Sequence, residues 1–213
     1  KESDMKICID DGSTNIKLAW TENGERRNAI SPNSFKSEWS APFGGTQPAN
    51  YMLDGVRYGF DPVSDRFVQT TDTQYQYSDV NVIAIHHALV KSGITPQEVD
   101  VVVTLPLSDI STQTHSRNAN INRKKANVMR PVEYQNGEAF TIRNVRVMPE
   151  SIPAGFKALA DMSPFESLLI VDLAEPRWMW QRFRGNWQDQ PGVLRSTRRR
   201  FPDSRCRTVG DGH

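Results

Sequence analysis

A short stretch near the start of the chain combines the residue types that can hold a metal-bound polyphosphate. Two carboxylates are followed closely by a glycine, two hydroxyls, an amide and a lysine: Asp10, Asp11, Gly12, Ser13, Thr14, Asn15 and Lys17. Glycine lets the backbone approach a ligand, successive N–H groups can cradle phosphate oxygens, and a lysine adds positive charge. An aspartate at a strand end can hold Mg²⁺ through water. The alternative is an ordinary hairpin turn, because Asp-Gly is the commonest hairpin signal, and this stretch alone leaves both interpretations open.

The flanking residues predict a β-hairpin that carries this stretch at its tip. The apolar run over residues 7–9 is typical of a buried strand, in which the Cys8 thiol would be buried and reduced. Apolar and polar residues alternate over residues 16–20, which predicts the second strand. Residues 26–30 can form a third strand beside it.

Two further carboxylates follow predicted strands later in the chain. Glu150 stands in a proline-flanked loop, whose stiff backbone would position its side chain. Asp172 comes at the end of the apolar run of residues 167–173, which repeats the pattern of the first strand. We therefore expect these carboxylates and Asp10 to converge at one edge of one sheet. Read alone, Glu150 is better interpreted as a carboxylate at the start of the helix predicted at residues 154–160 and nothing more.

The middle of the chain predicts a helix and a central strand. Ser78 is a favourable cap for a helix with dense apolar residues over residues 80–89. His86 and His87 lie on it, but adjacent helical residues point about 100° apart, which disfavours a shared metal ion. The nearly continuous apolar run of residues 99–105 predicts a central strand covered on both faces.

Two Asx-Gly turns predict hairpins elsewhere. One is centred on residues 54–55. The other is centred on residues 136–137, between strands predicted at residues 132–134 and 140–142. A helix is predicted from residue 118 to residue 129, and its basic trio at residues 123–125 is interpreted as a solvated face rather than a nucleic-acid contact.

The overall composition is that of a soluble globular protein. The chain has 213 residues and a net charge of +1, and no apolar run is long enough to span a bilayer. No secretory signal opens it, and residues 1–4 look like upstream sequence. The two cysteines, Cys8 and Cys206, fit neither a metal-binding spacing nor a disulfide framework. A reducing cytoplasm is the expected compartment.

The balanced charge conceals a change of composition at Ala174. Residues 175–213 contain 9 arginines and 4 acidic residues, no lysine, and three of the five tryptophans. The part before the change has a net charge of −4, and the part after it has a net charge of +5.

Taken together, these motifs resemble the superfamily of actin, Hsp70 and the sugar kinases, and within it the plasmid-segregation actins of the ParM (StbA) family. The matching stretches lie at residues 9–18, 30–35, 77–82, 104–107, 123–127, 147–155 and 168–173. The resemblance implies an α/β fold, an actin-like (ribonuclease H-like) domain over residues 5–173. Its mixed sheet would be flanked by helices and carry a small β-rich insertion at about residues 35–80.

The resemblance also implies a function. Such proteins bind ATP or GTP with Mg²⁺, polymerise, and hydrolyse the nucleotide to push plasmid copies apart in the bacterial cytoplasm. The loop matching Asp10 to Lys17 wraps the β- and γ-phosphates, the residue matching Glu150 positions the attacking water, and Asp10 and Asp172 would hold Mg²⁺. The partners would be filaments of the chain itself or of a full-length relative, and an adaptor bound to plasmid centromere DNA. Direct contact with nucleic acid or with a membrane is not expected.

The sequence departs from the family after Leu173. The family continues with Gly-Gly-Thr-Thr-Leu-Asp, a second phosphate loop, whereas this chain has Ala174-Glu175-Pro176-Arg177-Trp178-Met179-Trp180. One nucleotide inserted after a permitted codon for Leu173 restores Leu-Gly-Gly-Thr-Thr-Leu-Asp-Val. We therefore expect a frameshift at this point, with residues 174–213 an unselected, disordered tail. The competing interpretation is a genuine basic segment in which tryptophans and arginines contact a nucleic acid or an acidic surface.

These features lead us to expect a truncated relative of the family that binds nucleotide weakly and hydrolyses it negligibly. The alternative is a non-catalytic interaction protein that caps or poisons filaments of a full-length relative.

Overall fold

The computed structural model describes residues 5–42, 47–62, 74–110, 114–150, 167–174 and 177–184. The chain divides into two compact units, Lys1–Ala154 and Gly155–His213. The first unit contains both larger sheets and all the described helices.

A mixed five-stranded sheet forms the centre of the first unit. In spatial order its strands are β3 (Glu25–Pro32), β2 (Asn15–Glu22), β1 (Lys6–Asp11), β7 (Glu98–Leu105) and β9 (Thr141–Pro149). The first three strands pair antiparallel, whereas β1, β7 and β9 run parallel. The carboxyl ends of parallel strands share one edge of a sheet, which is where α/β proteins place their ligands. This edge therefore gathers the residues that follow β1, β7 and β9.

A second, four-stranded sheet combines three strands from the predicted β-rich insertion near residues 35–80 with one strand from residues 133–134. In spatial order its strands are β4 (Phe35–Lys36), β6 (Val56–Phe60), β5 (Asn50–Leu53) and β8 (Glu133–Tyr134). The turn between β5 and β6 has Asp54 at φ 48° and Gly55 at φ 79°, as the sequence predicted for an Asp-Gly hairpin.

Among the residues that the structure describes, three α-helices and one 3₁₀ helix accompany the sheets. They are the 3₁₀ helix Tyr75–Tyr77, α1 (Asp79–Lys91), α2 (Leu107–Ile110) and α3 (Thr114–Val128). The Ser78 side chain caps α1 by accepting a hydrogen bond from the Asn81 N–H, as predicted. No helix in the described ranges is long and apolar enough to cross a membrane.

Helix α1 is buried on nearly all sides because it packs against both sheets. It contacts β1, β2 and β3 of the large sheet and β5 of the small one. A helix that is covered all round has apolar residues all round, which explains why α1 shows no narrow apolar stripe. Arg130 adds a polar link, since it pairs with Asp54 of the small sheet and with Asp79 of α1, each at 2.6 Å.

Three sequence-based expectations about the strands were wrong. Cys8 is exposed, because successive strand residues alternate between faces and Cys8 points to the face opposite Ile7 and Ile9. Strand β7 likewise alternates buried and half-buried residues, so its two faces are not equally covered. The hairpin around residues 136–137 does not form, because β8 pairs with β5 whereas β9 pairs with β7.

The second unit contributes one described hairpin. Strand β10 (Ser167–Ala174) pairs antiparallel with β11 (Arg177–Arg184) in a sheet of two strands. The sequence predicted β10 but no strand after Ala174. The helix predicted at residues 154–160 and residues 185–213 of the predicted tail lie outside the described residues.

Both histidines of α1 are buried in the core. The His87 ring stacks on Phe60 at 4.1 Å between centroids, and its Nδ1 lies 2.8 Å from the Tyr51 hydroxyl. Within the described part of the chain, neither ring nitrogen of His86 has a hydrogen-bond partner. Burial lowers the pKa of His86 from 6.5 to about 4 and that of His87 to about 3, the latter with help from the Lys91 charge.

These lowered pKa values predict acid sensitivity. The unfolded chain takes up a proton at each histidine below pH 6.5 while the folded chain does not, so stability is full above that pH and falls as the pH drops towards 4. Between pH 7 and pH 5 each histidine should cost about 2 kcal/mol of unfolding free energy. Urea unfolding at the two pH values measures this loss. His86→Leu should reduce the loss by about the contribution of one histidine.

The control for this experiment is His115→Asn, because His115 is exposed on α3. This variant should lose as much stability on acidification as the unmodified chain. An equal loss in His86→Leu would show that His86 is not buried in its neutral form.

Candidate functional site

The tip of the first hairpin presents one exposed ion pair. Strand β1 ends at Asp11 and β2 begins at Asn15, and Asp10 and Lys17 are cross-strand partners. The Lys17 Nζ lies 3.0 Å from the Asp10 Oδ2, and both side chains are more than half exposed. Exposed pairs add little stability. Both charges are therefore accessible to a ligand at the tip.

The neighbouring Asp11 points the opposite way, into the core. Its side chain is fully buried. Its Oδ1 accepts hydrogen bonds from the Thr104 N–H at 3.0 Å and the Thr104 hydroxyl at 3.1 Å. Its Oδ2 accepts from the Asn81 amide at 2.9 Å and from the Lys124 Nζ at 2.5 Å. The alternation of strand side chains thus separates the two carboxylates that the sequence grouped together, leaving Asp10 exposed and Asp11 engaged in the fold.

The partner of Asp11 is a lysine with no exposed side-chain surface. The Lys124 Nζ also donates to the Asn81 Oδ1 at 2.8 Å and to the backbone and side-chain oxygens of Gln76 at 2.9 and 2.6 Å. Burial lowers the pKa of the Lys124 ammonium, and the Asp11 carboxylate opposes that shift. A buried charge needs such compensation, because desolvation disfavours it strongly.

The sequence did not reveal the buried pair of Asp11 and Lys124. The basic trio of residues 123–125 was expected to be a solvated face, which is wrong for Lys124, although Arg123 is exposed. A signal was present: Lys124 lies three residues after Ile121 and four before Val128, on the stripe of α3 that faces the core. The sequence did not reveal its partner, because Asp11 is far away along the chain.

Glu150 lies at the same edge of the sheet as the hairpin tip. It directly follows β9, and its N–H donates to the Leu105 carbonyl at 2.8 Å. The Gln76 Nε2 lies 3.2 Å from the Asp11 carbonyl oxygen and 3.5 Å from the Glu150 Oε1. The Gln76 amide therefore contacts both the loop from Asp10 to Lys17 and the carboxylate of Glu150, the predicted catalytic residue.

Asp172 belongs to β10 in the second unit, and its side chain lies outside the description. Strand β10 pairs with β11 in a sheet of two strands, and the expected convergence of Asp172 with Asp10 and Glu150 stays a prediction. Of the three predicted strand-end carboxylates, Asp10 and Glu150 lie at one edge of the five-stranded sheet.

The loop is tight at Gly12. A Cβ there would lie 3.0 Å from the Asn15 carbonyl oxygen, so a side chain would require the backbone to shift by a few tenths of an ångström. Within the described part of the chain, no group of three or more His, Cys, Asp or Glu side chains could hold a metal ion.

The sequence matches the family described as plasmid segregation protein ParM, N-terminal, over residues 5–161. No curated protein sequence matches the chain.

Solved structures with the same fold include three actin-like proteins. The AlfA filament from a Bacillus subtilis plasmid has a TM-score of 0.62 at 12% identity, covering 91% of this chain and 72% of that one. The archaeal actin homologue Ta0583 has a TM-score of 0.61 at 16% identity, covering 84% and 57%. Bacillus thuringiensis ParM has a TM-score of 0.57 at 13% identity, covering 92% and 60%. The chain therefore has an actin-like fold and spans roughly three fifths to three quarters of these proteins.

The buried lysine predicts a large stability effect. Lys124→Met leaves the Asp11 carboxylate buried without a counter-charge, which should lower the unfolding free energy by about 3–5 kcal/mol. Urea unfolding followed by circular dichroism measures the change. Adding Asp11→Asn removes the unpaired charge and should recover part of the loss.

The matched control is Lys125→Met, because Lys125 is the next residue of α3 and is not buried. It should change the unfolding free energy by less than about 0.5 kcal/mol. Equal effects of the two substitutions would contradict the buried ion pair.

Proposed function

The chain belongs to the ParM plasmid segregation family, matching its N-terminal part, and from this premise we propose that the loop from Asp10 to Lys17 binds the phosphates of a nucleoside triphosphate. The observation that carries the proposal is the contact of Gln76 with both the Asp11 carbonyl oxygen and the Glu150 carboxylate. A single side chain, Gln76, thus contacts both a loop suited to phosphate and a carboxylate suited to activating water.

In the proposed complex the loop binds the negatively charged phosphates. Lys17 supplies an exposed positive charge. The backbone that approaches the phosphate oxygens comes from Gly12, Ser13, Thr14 and Asn15. Two solved structures of the same fold are described with nucleotides: an AlfA filament bound to AMPPNP and Ta0583 in complex with ADP. These descriptions support a nucleotide as the ligand class, with ATP and GTP as the candidates.

Mg²⁺ fits the exposed carboxylate of Asp10. The ion would be held mainly by phosphate and water oxygens, with Asp10 as its carboxylate partner in the first unit. When bound, it would neutralise charge that develops on the phosphates during transfer.

Glu150 is proposed to position the attacking water. Phosphoryl transfer depends on alignment and charge neutralisation rather than on covalent chemistry by the protein. A carboxylate oxygen can accept a hydrogen bond from water and hold it in line with the phosphorus. The backbone of Glu150 is fixed by its hydrogen bond to Leu105, which suits such a role.

The proposed biological role is plasmid segregation through filaments. The structures of AlfA and of Alp12 are described as filaments. We propose that this chain associates with filaments of its own kind or of a full-length relative, in the bacterial cytoplasm, with an adaptor on centromere DNA as the link to the plasmid. The residues after Leu173 lack the glycines of the second phosphate loop, so we propose weak nucleotide binding and negligible hydrolysis for this chain.

The proposed phosphate contact predicts a specific loss on Lys17→Met. Removing a charged hydrogen bond should weaken binding of Mg·ATP roughly tenfold or more. An NMR titration, which tolerates weak binding, measures the dissociation constant, and the shifts should concentrate at residues 10–17. Lys6→Met is the matched control, because Lys6 lies on the same exposed face of β1 as Asp10 but at the other end of the strand. Equal weakening by both would indicate general charge attraction rather than a site.

Turnover provides a separate prediction. ATP hydrolysis by the purified chain should equal that of buffer, because water positioning helps only when the γ-phosphate is held firmly. Restoring the reading frame after Leu173 should restore turnover, which Glu150→Ala should then abolish. Robust hydrolysis by the 213-residue chain that depends on Glu150 would contradict the proposed weakness.

A further inference from the structure

Three consecutive carbonyl groups of the loop accept hydrogen bonds from side chains outside it. The Asp11 carbonyl accepts from the Gln76 Nε2 at 3.2 Å. The Gly12 carbonyl accepts from the Tyr75 hydroxyl at 3.2 Å, and the Ser13 carbonyl accepts from the Asn33 Nδ2 at 3.0 Å. Gln76 and Tyr75 are buried neighbours in the 3₁₀ helix. The loop is therefore held by a layer of donors on the core side.

Because the peptide bond is planar, the direction of these carbonyl groups also determines the direction of the N–H groups that follow them. In a trans peptide the carbonyl of one residue and the N–H of the next point in opposite directions. Holding the carbonyls of residues 11–13 towards the core therefore turns the N–H groups of residues 12–14 away from it. Successive N–H groups that point to one side form a concave site for an anion.

Each of these side chains has a second hydrogen-bond partner, which keeps its donor directed at the loop. The Asn33 Nδ2 also donates to the Tyr75 oxygen at 2.6 Å, which leaves the Tyr75 proton for the Gly12 carbonyl. Burial raises the pKa of Tyr75, so its hydroxyl keeps that proton at neutral pH. An ammonium group can only donate, so Lys124 fixes the Gln76 Oε1 and directs the Nε2 towards the loop.

We propose that Asn33, Tyr75 and Gln76 are positioning residues of the phosphate loop. They hold its carbonyls on the core side and thereby direct the N–H groups of residues 12–14 at a phosphate. The proposal rests on the proposed function of the loop and adds the side chains that give the loop its orientation. Gln76 extends the same arrangement to Glu150, so one 3₁₀ helix aligns both halves of the site.

The test compares two substitutions that each remove one hydroxyl from the same 3₁₀ helix. Tyr75→Phe removes the donor to the Gly12 carbonyl. Tyr77→Phe is the matched control, because the Tyr77 hydroxyl donates to Asp109 at 2.8 Å instead. The probe is magnesium pyrophosphate, titrated into the ¹⁵N-labelled full chain. Thermal unfolding of each variant checks that it folds.

We expect pyrophosphate to shift the amide signals of residues 12–14 in the unmodified chain. Tyr75→Phe should weaken binding about five- to tenfold and change these amide signals before any ligand is added, whereas Tyr77→Phe should do neither. Asn33→Asp replaces the donor to the Ser13 carbonyl by an acceptor and should act like Tyr75→Phe. It serves as the second test if Tyr75→Phe fails to fold.

The outcomes separate the two proposals. If the unmodified chain binds pyrophosphate at the loop and Tyr75→Phe or Asn33→Asp binds it equally well, the positioning role is wrong and the proposed function stands. If pyrophosphate leaves the loop signals of the unmodified chain unchanged, phosphate binding by the loop is itself wrong, and the donors only stabilise a turn.

Discussion

The buried pair of Asp11 and Lys124 is the interaction on which the arrangement of the site depends. It joins the end of β1 to α3, and the hydrogen bonds of Lys124 extend it to the 3₁₀ helix and to α1 through Gln76 and Asn81. Removing two charges from water is costly, so such a pair adds little stability over an apolar core of the same shape. What it provides is geometry, because an ammonium group surrounded by four acceptors tolerates few arrangements of its neighbours.

The buried pair also determines the position of exposed groups, because Asp10 is the residue next to Asp11. With Asp11 fixed inward, strand alternation fixes Asp10 outward, where it pairs with Lys17 at the hairpin tip. Because Lys124 can only donate, it also fixes which end of the Gln76 amide faces Asp11 and Glu150. The exposed groups proposed to meet a nucleotide are thus aligned by groups that a nucleotide does not reach.

Helix α1 packs against the large sheet, the small sheet and the 3₁₀ helix next to this site. Its N-terminal end, capped by Ser78, follows directly from the 3₁₀ helix below the loop. Arg130 ties the same end of α1 to the turn of the small sheet. Helix α1 therefore contacts both sheets and the segment that carries Tyr75 and Gln76.

The sequence by itself determined the elements whose signals are local. The hairpin around residues 12–14, the capped helix at Ser78 and the strand before Glu150 follow from periodicity and turn chemistry, and the structure has each of them. Only the tertiary structure decided which face each residue occupies and which distant residues meet. Lys124 looks like a surface residue until Asp11 is placed beside it, and β8 looks like a hairpin partner of β9 until β5 pairs with it. The physical reason is that burial and pairing depend on contacts between residues far apart in the chain, and the local pattern around each residue does not contain its partner.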